Sequence, residues 1–484
     1  MEHLIWTGSF AFLNPLLALA LGLLALTVVL WMLAGIVLPE DQMAVNPDGT
    51  LNSNSRPRKQ IQAALRYSFM ASISVAVAYI VLGILMGASA GIIGAISQQF
   101  MPVWLSLIIL CAMSIAFKRK LGLYGKLFDS PIGMVGFGLV MFWVFTGIFS
   151  AMGLITTLDP LAVVSGMKNK VPGTPIPNLE DGQYAWYLLG GDNLARDVFS
   201  RMVAGTWEVI KIAPFATLFA FMVGITLGLP AGYYGGRLDT VLSFLSNMVL
   251  AFPVILLFYL LVTPEIVTTG VPSYMAAVLF IFPVIFLGVL LNSRFHTRPR
   301  VRTPLLIGVL GLAIWVYLSL ISTNGYIVNA PAYNIPGLPK ELDLVDFPLV
   351  VFVSVVFVNS PTVFRIVRSL TMDIKTRDYV AAAQTRGEGP WYIMLWEILP
   401  NARGPLIVDF CLRIGYTVIL LGTLGFFGLG FEPENPNWGS TINDGRKLLS
   451  IYLHPVLPPA LALLSLVLGL NLLADGLREE SLKD

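Results

Sequence analysis

Side chains able to do chemistry are few in this sequence and widely separated. The three histidines, His3, His296 and His454, fall in different polar segments, so no metal-ligand spacing exists. Cys111 and Cys411 lie in or beside apolar segments and read as small packing residues rather than a disulfide framework. The single Gly-Lys pair, Gly125-Lys126, lacks the earlier glycine and the Ser/Thr of a phosphate-binding loop, so no nucleotide site is readable. Glu208, Lys211, Asp409, Arg413 and Asp475 sit near the ends of long apolar segments, where interfacial anchoring is their ordinary role. The centres of those segments hold no Asp, Glu, Lys or Arg. An ionisable group there is costly and usually marks an ion path or a proton relay. An energy source outside the membrane is therefore expected, and outside this chain as well.

The elements that position these residues follow from composition. Of 484 residues, 56% are hydrophobic and only 12% charged, with a mean hydropathy of +0.78. A soluble domain carries about 25% charged residues. The net charge of +2 leaves no basic footprint for nucleic acid. An all-α, polytopic membrane protein remains. A hydrocarbon core about 30 Å thick needs about 20 residues of helix. Eleven segments qualify, near 10–38, 67–96, 101–117, 131–155, 209–232, 241–262, 274–291, 304–322, 347–364, 405–430 and 453–475, the third and seventh being short. None alternates with period two, which argues against a barrel. The first has no basic leader and no small-residue cleavage site, so it does not read as a secretory signal.

Orientation follows from the basic residues. Of the 30, 21 fall in one set of loops and 7 in the other, with Lys211 and Arg413 at span ends. This split puts the C-terminus in the cytoplasm and, with eleven crossings, the N-terminus outside. Gly83, Gly87 and Gly91, like Gly224, Gly228 and Gly232, recur at helix-packing spacing. Pro230, Pro253 and Pro283 are expected to interrupt helices and free backbone carbonyls.

Residues 365–404 form a polar loop on the basic side. Its alanine run, Ala381 to Ala383 within Asp378–Gly387, favours helix, and Gly387 suits the helix end. Pro390 suits the first turn of a second short helix running to Trp396, Glu397 and Ile398, which Pro400 ends. The expected product is a helix-turn-helix with a smooth alanine face. Such a face can enter a partner's groove with Tyr379 and Val380 as anchors, or can be an ordinary solvated loop.

The stretch from Tyr379 to Pro400 resembles the cytoplasmic signature of bacterial ABC importer permeases. That signature has a Glu-Ala-Ala core, a glycine four residues after the last alanine and a downstream Leu-Pro. Ala382, Ala383, Gly387, Leu399 and Pro400 keep the register, while Ala381 stands where the family typically has Glu. Further blocks resemble the C-type permease of the dipeptide/oligopeptide/nickel group. Gly191, Asp192, Arg196, Asp197, Ser200 and Arg201 belong to a block similar to Gly-Thr-Asp-x-x-Gly-Arg-Asp-Val-x-Ser-Arg. Ala231–Gly236 with Asp239, then Ala251-Phe252-Pro253, resemble the next turn and span. Leu424–Gly430, Pro436 and Trp438-Gly439 resemble the last external loop, and Asn471–Arg478 the terminus.

The resemblance implies a type I ABC importer core of six spans with about five added. Residues 1–125 would be an N-terminal addition of about three spans and 263–346 an inserted pair. The core would be 126–262, with external loop 156–208, and 347–484, with coupling loop 365–404. It implies a bacterial inner-membrane transport subunit rather than an enzyme, with no cofactor of its own. Partners would be membrane lipid, a second permease, an extracytoplasmic solute-binding protein and two ATPase subunits carrying ATP and Mg. Asp378, Tyr379, Val380, Ala381, Ala382, Ala383, Gly387, Glu397, Leu399 and Pro400 would couple to the ATPase. The external segment 156–208, rich in Pro and Gly and ending in the charged 192–201 block, is expected to pack on the external face or meet the delivery protein. Glu432, Glu434 and Trp438 either line the mouth of the pathway or cap a turn. The rival readings are a stand-alone secondary transporter or channel, and an export or assembly scaffold.

Overall fold

Only helices and closed barrels satisfy every backbone polar group in hydrocarbon, and this chain uses helices. The computed structural model describes residues 2–37, 44–45, 51–52, 56–177, 184–322, 349–431 and 434–481. Strand among them is confined to two antiparallel ladders with two residues in each strand. Two compact units emerge, Met1–Leu105 with Leu154–Phe199, and Ser106–Gly153 with Ser200–Asp484.

In the first unit α1 (Asn14–Val37) lies against α2 (Arg56–Met86). Polar side chains tie the pair: the Thr27 and Ser68 hydroxyls meet at 2.8 Å, and the Tyr79 hydroxyl donates to Asn14 Oδ1 at 2.7 Å. In lipid such bonds hold helices together where apolar burial cannot. The expected second span, 67–96, ends earlier, at Met86. The chain reverses through Gly87 (φ +55°) and Gly91 (φ +75°), and α3 (Gly91–Gln99) folds back on α2. A Cβ on Gly83 would come within 3.1 Å of Gly94 Cα. Gly87 and Gly91 are therefore turn residues rather than members of a packing stripe. Leu4 N–H donates to Gly173 O, and Trp186 Nε1 donates to Glu2 O. The first residues thus lie on the 171–187 segment.

Helix α4 (Met101–Ala116) begins in the first unit and ends in the second. There α5 (Gly122–Lys126) leads to α6 (Pro131–Ala151), opened by Ser130, whose Oγ accepts from Gly133 N, and by Pro131 in the first turn. Helix α7 (Val198–Tyr234) has 37 residues, roughly 55 Å at 1.5 Å each, well beyond the hydrocarbon thickness. Its Gly224, Gly228 and Gly232 meet Val363, Val367 and Thr371 of the later helix Leu349–Ile374, so this stripe does admit a helix. Pro230 lies inside α7 without ending it.

Helices α8 (Gly236–Leu250) and α9 (Val254–Val262) are bent by 82° at Pro253, which can neither donate a backbone bond nor continue the ladder. Helices α10 (Pro264–Thr268), α11 (Val271–Leu279), α12 (Ile281–Arg294) and α13 (Pro299–Ser322) come after it. Pro283 sits in the first turn of α12, where its missing N–H costs little. Next come α14 (Leu349–Ile374), the loop helices, α18 (Arg403–Phe427), α19 (Trp438–Arg446) and α20 (Leu457–Ser481).

The bent pair runs along α14 from one end to the other. Asp239 is ion-paired with Arg368 near the C-terminal end of α14. A Cβ on Gly430 would meet both Val262 and Val351, at the other end. Among the described residues, nine segments are long and apolar enough to cross a membrane, besides this pair and the shorter α4. Each of the eleven expected segments has its helical counterpart.

Candidate functional site

The loop between α14 and α18 begins with α15 (Asp378–Thr385). Ala381 to Ala383 supply propensity, and Asp378 in the first turn suits the positive end of the helix dipole. The helix closes with two bonds, Glu388 N–H to Ala383 O and Gly387 N–H to Gln384 O, around Gly387 at φ +78°. This is the Schellman arrangement, which favours glycine at that position. Then α16 (Pro390–Tyr392) leads into a π-helical stretch, Ile393–Ile398, and α17 (Leu399–Asn401). The expected second helix therefore runs past Pro400, which lies in the first turn of α17.

The faces of α15 differ from the expectation in one respect. Val380 and Ala383 are fully buried, in a cluster with Ile393, Met394, Leu395 and Ile398. They cannot be surface anchors for a partner; they seat the helix on its own chain. Asp378, Tyr379, Ala381, Ala382 and Gly387 are exposed. Pro400 is exposed, Leu399 is partly buried, and Glu397 accepts from Arg386 Nη2 at 2.8 Å. The face left free is small, smooth and supported from behind.

Contacts invisible in the motif complete this seat. Lys375 Nζ donates to Gly232 O at 2.8 Å, capping carbonyls at the end of α7. Gln384 Nε2 donates to the Tyr233 hydroxyl at 3.2 Å. The Gly-Tyr-Tyr end of α7 gives no local signal of either bond.

The external block is buried instead of presented. Asp192 (1% exposed) accepts from Arg196 Nε at 2.6 Å and from the backbone N–H of Leu194 and Arg196, both at 2.8 Å. This closes a tight loop in which Ala195 adopts φ +62°. The family pattern has glycine at that position. Tyr187 donates to Ala195 O at 2.8 Å, and burial, aided by Asp197, holds its phenol well above the usual range. Asp197, Ser200 and Arg201 are also buried, and Gly191 forms a β-bridge with Asp197. Only Asn193 and Leu194 of 191–201 reach the surface.

Glu432 lies outside the described residues, and Glu434 is exposed. Trp438 does not line a mouth. It is 1% exposed, donates to Met202 O at 2.8 Å and meets Trp143 edge-on at 5.2 Å. Gly439 lets α19 press against α18, since a Cβ there would fall 2.1 Å from Gly422 O. Asn437 caps α19 by accepting from Ser440 N.

Two polar features inside the bundle were not separable by sequence. Asn359 Nδ2 donates to Thr417 Oγ1 at 3.2 Å, and Thr217 Oγ1 lies 3.4 Å from the same atom, joining α14, α18 and α7. Arg413 is buried, and Asp409 accepts from its Nε at 2.8 Å. Among the described residues, no group of His, Cys, Asp or Glu is placed to hold a metal.

Residues 224–479 match the family described as binding-protein-dependent transport system inner membrane component. That is more than half of the 484 residues. The chain belongs to this family. The match starts within α7, takes in the whole α15 loop and ends in α20. This permease is similar to a glutathione transport system permease protein of Pectobacterium atrosepticum, 28% identical over 301 residues, 62% of this chain and 74% of the relative. A dipeptide transport system permease protein of Haemophilus influenzae is 29% identical over 303 residues, 63% and 76% of the two chains. One from Alkalihalophilus pseudofirmus is 26% identical over 332 residues, 69% and 82%. These relatives are transport permease subunits rather than enzymes, and the chain is a multi-pass inner-membrane protein.

Proposed function

We propose that this permease takes up peptides or peptide-like solutes as one of two permeases in an ATP-driven importer, and that α15 is its dock for a cytoplasmic ATPase. The observation that carries this reading is the two-faced helix α15. Val380 and Ala383 fix it to its own chain while Tyr379, Ala381 and Ala382 stand free. A rigidly seated helix with an unobstructed face transmits a push as a rigid body. Glutathione and dipeptides, named for the relatives, are both short peptides, which supports the solute class. The charge-free centres of the apolar segments support an energy source outside the membrane.

In this scheme a solute-binding protein delivers to the outer face and a second, different permease supplies the other wall of the path. Two ATPase subunits close on ATP and Mg in the cytoplasm, and α15 transmits that motion to this permease. The C-terminus then lies in the cytoplasm and the N-terminus outside. The placement of Glu2 and Leu4 on segment 171–187 supports this, because both fall on the basic-poor side.

The test is Ala382→Trp in the complex expressed with its neighbouring gene products. Position 382 is exposed, so the bulky ring leaves the fold intact and blocks only an approaching groove. ATPase co-purification and uptake should both be lost while the permease remains in the membrane. Unchanged co-purification and uptake would sink the docking role. Uptake by this chain alone, driven by an ion gradient without ATP, would favour a stand-alone carrier.

A further inference from the structure

The inserted pair α12 and α13 lies outside the six-helix core, yet the end of α12 sits on the proposed coupling loop. Trp396 Nε1 donates to Ser293 Oγ at 3.0 Å. The Arg294 guanidinium lies 4.6 Å from the centroid of the same indole, within cation–π range. His296 meets Tyr392 edge-on at 5.5 Å, with its Nε2 4.0 Å from Glu388 Oε2. Further up α12, Phe286, Val289 and Leu290 pack against the cluster that buries Val380 and Ala383.

These contacts converge on one limb of the loop, Glu388 to Trp396, most of it next to or within the π-helical stretch Ile393–Ile398. A π turn is rare, occurs mostly as a single turn within α-helix and is frequent at functional sites. Left unsupported, such a stretch can rewind to α, rotating the residues after it and shifting α15, which rests on it through Val380 and Ala383. Trp396 is partly buried, and the inserted turn meets both its ring nitrogen and its ring face.

We infer that the turn Ser293–His296 is a brace that sets the position of α15, with Ser293 and Arg294 as positioning residues that touch neither solute nor ATPase. This inference rests on the proposed docking role of α15. The inserted pair then belongs to the transmission, independently of any contact it makes with lipid.

The test uses the full complex in proteoliposomes and compares Ser293→Ala/Arg294→Ala with Ser293→Thr/Arg294→Lys. The alanine pair removes the hydroxyl acceptor and the cation, while the conservative pair keeps both. Uptake per ATP hydrolysed should fall about fivefold in the first, within the range of couplings carried by packed networks, and recover at least by half in the second. ATPase co-purification and the thermal midpoint should stay at the level of the unsubstituted complex. Unchanged uptake per ATP, or an equal loss in both pairs, would overturn the inference. If the alanine pair does not accumulate, Trp396→Phe removes the hydrogen bond to Ser293 and shrinks the ring that faces Arg294, and unchanged uptake per ATP there overturns it too. Failure of the docking role is seen separately, because Ala382→Trp would then leave ATPase co-purification and uptake unchanged, and the brace would fall with it.

Discussion

At the residue scale two positions carry unusual demands. Ala195 is held at φ +62° by the Asp192 loop and by Tyr187. Glycine would relieve a left-handed strain of about 1–2 kcal/mol but lose chain entropy and a buried methyl, each worth up to about 1 kcal/mol. Ala195→Gly is therefore expected to move stability by less than about 1 kcal/mol. Ala195→Val should cost roughly 2 kcal/mol or more, because a β-branched residue fits that conformation poorly. Thermal midpoints of the two purified variants decide between these magnitudes. Arg413 presents the opposite case, a buried charge that depends on Asp409. Removing one partner should cost about 3 kcal/mol, and replacing both with apolar residues should cost much less. A cycle of Arg413→Leu, Asp409→Leu and the double variant measures this, and additive single losses would show the ion pair to be inert.

Between helices, the polar bonds within the bundle decide register. Thr417 accepts from Asn359 and faces Thr217, so Thr417→Val leaves a buried amide without its partner. Such bonds contribute about 0.6–2 kcal/mol in membranes. The variant should unfold earlier in denaturing detergent by that amount, and Thr217→Val, which leaves the amide bond intact, by less. Sequence could not mark these residues, because threonine in an apolar segment has no spacing that reveals its partner 58 or 200 positions away. The α15 loop was legible for the opposite reason: alanine propensity, Gly387 and Pro390 act locally, so their pattern survives in the string. What the pattern concealed was the inward face. Val380 looks like an anchor until the fold shows Ile393 and Ile398 beneath it. The reversal at Gly87 and Gly91 was hidden too, since glycine at four-residue spacing serves a turn and a packing stripe alike.

Across the whole molecule, topology hinges on whether α8 and α9 make one crossing. The 82° bend would also suit a segment that dips in and returns. The two fates differ in parity. Between Leu194 and Arg300 lie α7, the bent pair and the α11–α12 segment. Three crossings put these residues on opposite sides of the membrane, and two put them on the same side. Contact of Gly430 with Val262 at one end, and of Asp239 with Arg368 at the other, argues for three. Leu194 is 52% exposed and Arg300 is exposed, so a cysteine at either is open to a reagent. Native Cys411 is buried and Cys111 partly so, and alanine at both gives a silent background. Leu194→Cys should react with a membrane-impermeant maleimide on intact cells. Arg300→Cys should react only after permeabilisation, together with Ala382→Cys in the loop. Modification of both Leu194→Cys and Arg300→Cys on intact cells would make the bent pair re-entrant. It would also carry the brace turn outside, away from any ATPase.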